Sequence, residues 1–74
     1  PFQYAIYPNP ASTHCIVQLA PTNTLHDIRI FNTNGQLLKT TKTTNLNIAD
    51  LNSGTYFVHV RSEQGEAIQE LIVD

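Results

Sequence analysis

The sequence predicts an all-β domain, a small antiparallel sandwich, from three features of its pattern. Apolar and polar residues alternate at period two in segment after segment, as in "DIRIF" and "TYFVHV". No stretch of about eleven residues or more sets apolar side chains at helical spacing. Short strand-like segments recur at intervals of about ten residues, with turn-forming clusters such as "TNGQ", "DLNSG" and "SEQGE" between them.

Tyr4 to Tyr7 reads as a first short strand that Pro8 stops. In "YPNPAS" each proline fixes its own φ, lacks an N–H donor and drives its predecessor, Tyr7 or Asn9, toward extended geometry. Such a stiff segment does not suit the middle of a sheet. It is expected to bend the chain between the first and second strands at the rim, where missing donors cost little. From His14 to Ala20, Cys15, Val17 and Leu19 share a face, and Pro21 closes the segment. From Asp27 to Phe31, Ile28 and Ile30 point one way and Asp27 and Arg29 the other, which marks a strand with one wet face.

Asn34-Gly35 is a strong hairpin signal and predicts a type I′ turn, with Gln36 to Thr41 returning antiparallel. "KTTKTTN" has no apolar residue and reads as a low-complexity linker or, in preference, as a polar edge strand whose Lys39 and Lys42 discourage pairing with other chains. Leu46 and Ile48 alternate again before "DLNSG" turns the chain. The strand from Gly54 places Tyr56, Val58 and Val60 on one face and Phe57, His59 and Arg61 on the other. After "SEQGE", Ala67 to Val73 closes the fold with Leu71 and Val73 inward. The set is that of a seven-stranded immunoglobulin-like β-sandwich.

The 74 residues leave room for a single domain, 1–74, without an internal repeat. The chain starts at Pro1 and carries no signal peptide, so it is expected to be a fragment of a longer protein. Four basic and six acidic residues give a net charge of −2, which leaves no basic footprint for nucleic acid or an anionic membrane. No apolar run approaches the roughly 18 residues of a membrane-spanning helix, and no membrane insertion is expected. Charged residues reach only 14 %, and threonine and asparagine supply the polarity instead, a habit commoner in extracellular β domains. Cys15 is alone, so no intramolecular disulfide forms, and it reads as a small buried apolar residue.

Little in the chain points to catalysis or to a cofactor. His14, His26 and His59 fall on outward faces or strand starts, with no Cys or carboxylate at ligand spacing. The three glycines lie far apart in turns and form no phosphate loop. Ser12, Ser53 and Ser62 sit at turns or strand ends, and Asp50 and Glu70 lack a cleft to share. Aromatic residues leave a binding role open. Phe31 and Phe57 are expected to face away from the core and Tyr4 and Tyr7 to lie near the first edge, where they would either cover the sandwich end or form a platform for sugar rings.

"YPNPAS", "IRIFNTNGQLL" and "ADLNSGTYFVHV", in this order and followed by a short closing strand, resemble the type A C-terminal sorting domain of the type IX secretion system of Bacteroidetes. The resemblance runs from about Tyr4 to Val73. Tyr7, Pro8, Asn9 and Pro10 match its opening motif, Asn34 and Gly35 its central turn, and Leu51, Gly54 and Tyr56 its late motif, with Leu71 and Val73 in its last strand. Glu70 and the terminal Asp74 depart from the lysines common there.

The resemblance implies a signal rather than an enzyme. It implies a covalently linked N-terminal cargo, a transient periplasmic stage, recognition by the outer-membrane secretion machinery, and removal by a sortase-like surface protease, leaving the cargo at the cell surface or outside. The final strand is expected to be the recognised element, with a free edge that a receptor extends by β-augmentation, so that Val73→Pro blocks binding without unfolding the domain. The alternative is a carbohydrate-binding or adhesive sandwich module.

Overall fold

The computed structural model describes residues 2–74. Its seven strands are β1 (Ala5–Tyr7), β2 (His14–Gln18), β3 (Leu25–Phe31), β4 (Leu37–Thr41), β5 (Asn45–Asn47), β6 (Gly54–Ser62) and β7 (Gly65–Val73). They form two antiparallel sheets, one of three strands in the order β1-β2-β5 and one of four in the order β4-β3-β6-β7. The first, second and fifth strands facing the third, sixth and seventh is the immunoglobulin arrangement, and β4 sits beside β3 as the C′ strand of a variable-type domain does.

The inward faces follow the predicted alternation. Ile28 and Ile30 of β3, Val58 and Val60 of β6 and Leu71 of β7 are at most 1 % exposed. They pack on Cys15, Val17 and Leu46 of the facing sheet and on Ile48. Burial pushes the Cys15 thiol up, as expected of a cysteine that fills a core rather than reacts.

Four local expectations are corrected. The β3–β4 hairpin is not a type I′ turn, because Gly35, at φ +83°, is the one residue of the loop with positive φ. The Gly35 N–H donates to the Asn32 carbonyl (3.0 Å) and the Asn32 N–H to the Gln36 carbonyl (3.0 Å), which makes a type I turn followed by a left-handed glycine. The Asn32 side chain explains the longer loop. Its Oδ1 accepts from the Asn34 N–H (2.9 Å) and the Gln36 N–H (3.0 Å), fixing the residues ahead of Asn34-Gly35.

"KTTKTTN" is an edge strand only as far as Thr41. Lys39 lies in β4, whereas Lys42 to Thr44 carry the chain across to the other sheet. Lys39 clasps that crossing, since its ammonium donates to the Asn47 carbonyl (2.9 Å) and pairs with Asp50 (2.7 Å). β2 stops at Gln18, short of Ala20, because Pro21 and the turn after it draw the chain away toward β3.

Tyr4 is the fourth correction. It precedes β1 and is 7 % exposed, with its hydroxyl donating to the Val58 carbonyl at 2.6 Å. Desolvation raises its phenol above the usual tyrosine range. An aromatic body with one satisfied polar tip lets the ring join the core. Tyr4 is therefore a bridge between the sheets and no part of a surface platform.

On the outward face of the four-stranded sheet, Asp27 is only 9 % exposed because arginines cover it. The Arg61 guanidinium forks onto it through Nε (2.8 Å) and Nη2 (2.6 Å), and Arg29 Nη2 stands 3.7 Å away. The Arg61 hydrogen bonds hold the Asp27 carboxyl below the ordinary carboxylate range. The stabilisation from a depressed carboxylate is complete above the unfolded value of about 3.9 and disappears as the pH falls through the folded one. Urea midpoints measured from about pH 6 down to about pH 2 should decline below pH 4 in the wild type, and less so in Asp27→Asn. Equal declines would show that other carboxylates drive the acid sensitivity.

Candidate functional site

The motif residues gather at one end of the sandwich. Phe31, the last residue of β3, pairs with Phe57, and Gly54, three residues before Phe57, pairs with Val73 of β7. The β3–β4 loop with Asn34 and Gly35, the turn carrying Leu51 into β6, the "YPNPA" segment and the C-terminus therefore share a pole. Leu51 packs partly buried against the core. Gly54 adopts φ +152°, a conformation that side-chain-bearing residues rarely take, at the point where the chain enters β6.

Tyr56 ties this pole together. Its ring is 8 % exposed and its hydroxyl donates to the Asn52 carbonyl at 2.6 Å. A tyrosine near the start of the sixth strand that bonds back to backbone a few residues upstream is the tyrosine corner of immunoglobulin-like domains. Tyr56→Phe deletes this one donor and should lower the stability by about 1 kcal/mol in urea denaturation. No change would mean that solvent replaces the bond.

"YPNPA" runs along the outer edge of β7 rather than only bending the chain. The Asn9 side chain donates from Nδ2 to the Glu70 carbonyl (2.9 Å) and accepts at Oδ1 from the Ile72 N–H (3.0 Å). Two residues on, the Ala11 N–H donates to the Ile72 carbonyl (2.8 Å), and the Asp74 N–H donates to the Ala11 carbonyl (2.8 Å), in a parallel bridge of Ala11 with Val73. Pro8 and Pro10 have no N–H to offer, so Asn9 supplies one from its side chain. The segment steps from the sheet of β1 to the sheet of β7 and back into β2.

The final strand therefore does not present a free edge at Leu71 and Val73. These residues are 0 % and 3 % exposed, and the outward backbone groups of Ile72 and Asp74 are already bonded. Val73 also pairs with Gly54. A proline there removes a ladder hydrogen bond in the core-facing register, so Val73→Pro would disturb the fold itself.

The aromatic residues do not converge. Phe31 and Phe57 pair on the outer face of the four-stranded sheet, Tyr7, 45 % exposed, lies on β1 of the other sheet, and Tyr4 is in the core. A cleft of about 430 Å³ opens between β4 and β5 over Ile30 and Leu46 and has no aromatic lining. No group of three His, Cys, Asp or Glu side chains among the described residues is arranged to hold a metal ion.

Asp27, Arg61 and Gln69 are structurally important residues that the motifs did not flag, while Ala11 and Asn32 lie inside the quoted motif stretches but carry contacts that the motifs did not reveal. Gln69 donates from its side-chain amide to the Tyr4 carbonyl, closing the seam between β7 and the segment before β1. Asn9 between two prolines was the legible clue to the edge contact, because an amide side chain replaces the backbone groups that proline lacks.

A family model described as a secretion system C-terminal sorting domain matches residues 5–74. The chain belongs to this family. The sorting domain is a C-terminal signal for type IX secretion, carried as an extension of a cargo that passes to the cell surface or outside, and the family implies an origin in Bacteroidetes. A comparison with curated proteins returned no match.

Proposed function

We propose that the sorting domain acts as a folded tag, a single unit over residues 1–74 that follows a covalently linked cargo, folds in the periplasm and is read there by the outer-membrane machinery. A sortase-like surface protease then removes it, and the cargo is attached to the surface or released. The observation that carries this reading is the family match over residues 5–74, the whole sandwich, rather than over an isolated tail.

The packing gives the reading a physical form. Tyr7 leads from β1 into a seam where Asn9, held between Pro8 and Pro10, meets the final strand that carries Leu71 and Val73, and Asn34, Gly35, Leu51, Gly54 and Tyr56 hold the pole at which that seam ends. These residues shape the recognised surface by fixing the final strand, and their part in export follows from folding. An unfolded chain would present none of this surface.

A fluorescent reporter bearing an N-terminal signal peptide and residues 1–74 at its C-terminus, expressed in a bacterium with the type IX machinery, tests the processing step. Mass spectrometry of the surface or secreted reporter should find it shortened by the length of the domain. Export of the intact fusion would retain the sorting role and remove the cleavage step. An intact fusion held in the periplasm would overturn the reading.

A further inference from the structure

We propose that the open half of the β7 edge, from Glu66 to Glu70, docks an extended segment of a partner chain in which a basic, an apolar and a second basic residue alternate. This deepens the sorting reading and rests on it, since the partner belongs to the machinery that reads the domain.

The edge has two halves with opposite properties. In the hairpin with β6, the backbone groups of Ile72 and Asp74 face outward and meet Asn9 and Ala11. Strand periodicity places the N–H and C=O of Glu66 and Ile68 and the N–H of Glu70 on the same outward edge. Among the described residues none of these has a backbone partner outside the hairpin. An open edge of this kind invites a further strand.

The β5 edge is not equivalent. Its outward carbonyls at Asn45 and Asn47 accept from the Thr43 hydroxyl (3.1 Å) and the Lys39 ammonium (2.9 Å). Side chains thus blunt that edge, whereas among the described residues no side chain hydrogen-bonds the outward backbone groups of Glu66 or Ile68, and Gln69 reaches the Tyr4 carbonyl from its side chain alone.

Ile68 marks the open half chemically. It is 62 % exposed, the highest value among the exposed large hydrophobic residues, and it stands between Glu66 and Glu70 on the outer face. Phe57 pairs directly with Glu70 and so lies diagonal to both Ile68 and Ile72, while Phe31 and Leu37 continue the row across β3 and β4. An apolar stripe therefore leads across the sheet to the open edge. A partner residue beside Ile68 would extend it.

Charge selects the occupant. In an antiparallel pair centred on Ile68, a second copy of the chain would set Glu66 opposite the other copy's Glu70 twice over, and like charges directly opposite destabilise a ladder. A heterologous strand with Lys or Arg at both flanking positions meets complementary charge instead. Glu66 already contacts His59 (2.7 Å), while Glu70 makes no ion pair among the described residues, which makes Glu70 the stronger anchor.

The test is an NMR titration of the 74-residue chain with a short synthetic peptide alternating lysine and valine, compared with its glutamate-valine counterpart. The lysine peptide should shift amides from Glu66 to Glu70, slow exchange of the Ile68 amide, and bind about tenfold more tightly than the glutamate peptide. The double variant Glu66→Lys and Glu70→Lys, both exposed, should reverse that preference. Ile68→Pro should abolish binding while the core resonances stay in place.

Equal binding of both peptides, perturbations at β4 or β5 instead, or no perturbation at saturating peptide would overturn the proposal. Concentration-dependent shifts along β7 without peptide would assign the edge to a second copy. Export of the wild-type reporter is read separately. Loss of peptide selectivity with intact export removes this inference alone, and loss of export removes the sorting reading beneath it.

Discussion

Asn9→Ala should lower the stability by about 1–3 kcal/mol, the sum of two hydrogen bonds, and speed amide exchange at Ile72 and Asp74 several-fold. The Asn9 side chain closes the edge of β7. Asn9 bonds the Glu70 carbonyl and the Ile72 N–H at once, and those bonds align Ala11 for its own two. Removing the amide leaves a proline-framed segment with no donor at that position.

Asn9→Asp is the informative control. A carboxylate still accepts from the Ile72 N–H but has no donor for the Glu70 carbonyl, against which its charge is repulsive. It should therefore be no more stable than the alanine variant, even though it is closer in shape. Unchanged exchange at Ile72 and Asp74 in both variants would mean that Ala11 alone holds the edge.

Leu71→Ala should have the larger effect on folding, a loss of about 3–5 kcal/mol in urea denaturation, as for other fully buried leucines. Leu71 is 0 % exposed and faces the centre of the sandwich. A domain of this size has a total stability of about 4–11 kcal/mol, so the variant is expected to be close to unfolding at physiological temperature. Ile68→Ala, three residues earlier on the same strand, should change stability by less than about 0.5 kcal/mol because Ile68 is exposed. The pair separates the two faces of β7. Similar losses in both variants would contradict the register assigned to the strand.

Much of this fold was legible because alternation at period two is a direct consequence of strand geometry. Tyr56, Val58 and Val60 against Phe57, His59 and Arg61 could be assigned to faces from spacing alone, and Ile28, Ile30, Leu71 and Val73 likewise. Contacts carried by polar side chains were harder to read. Asn32 lengthens the hairpin loop by accepting from two backbone N–H groups, and nothing in the dipeptide Asn34-Gly35 records that competition.

The candidate site shows the same division. The motif order located the sorting domain, yet the assignment of the free edge required knowing what lies beside β7. Prolines at 8 and 10 indicated a segment without donors, and only the three-dimensional path placed Asn9 and Ala11 against the last strand. Tyr4 was misplaced for a related reason. A tyrosine ahead of an edge strand reads as exposed unless its hydroxyl has a buried acceptor, and that acceptor, the Val58 carbonyl, lies 54 residues away in sequence.

In the proposed function this folded domain is sufficient to direct export. The most direct measurement compares localisation of the signal-peptide-bearing reporter fused to residues 1–74 in a bacterium with the type IX machinery and in a mutant lacking it. Reporter should be found at the surface or in the medium of the competent strain and in the periplasm of the mutant. Periplasmic retention in both strains, with the domain folded, would contradict it.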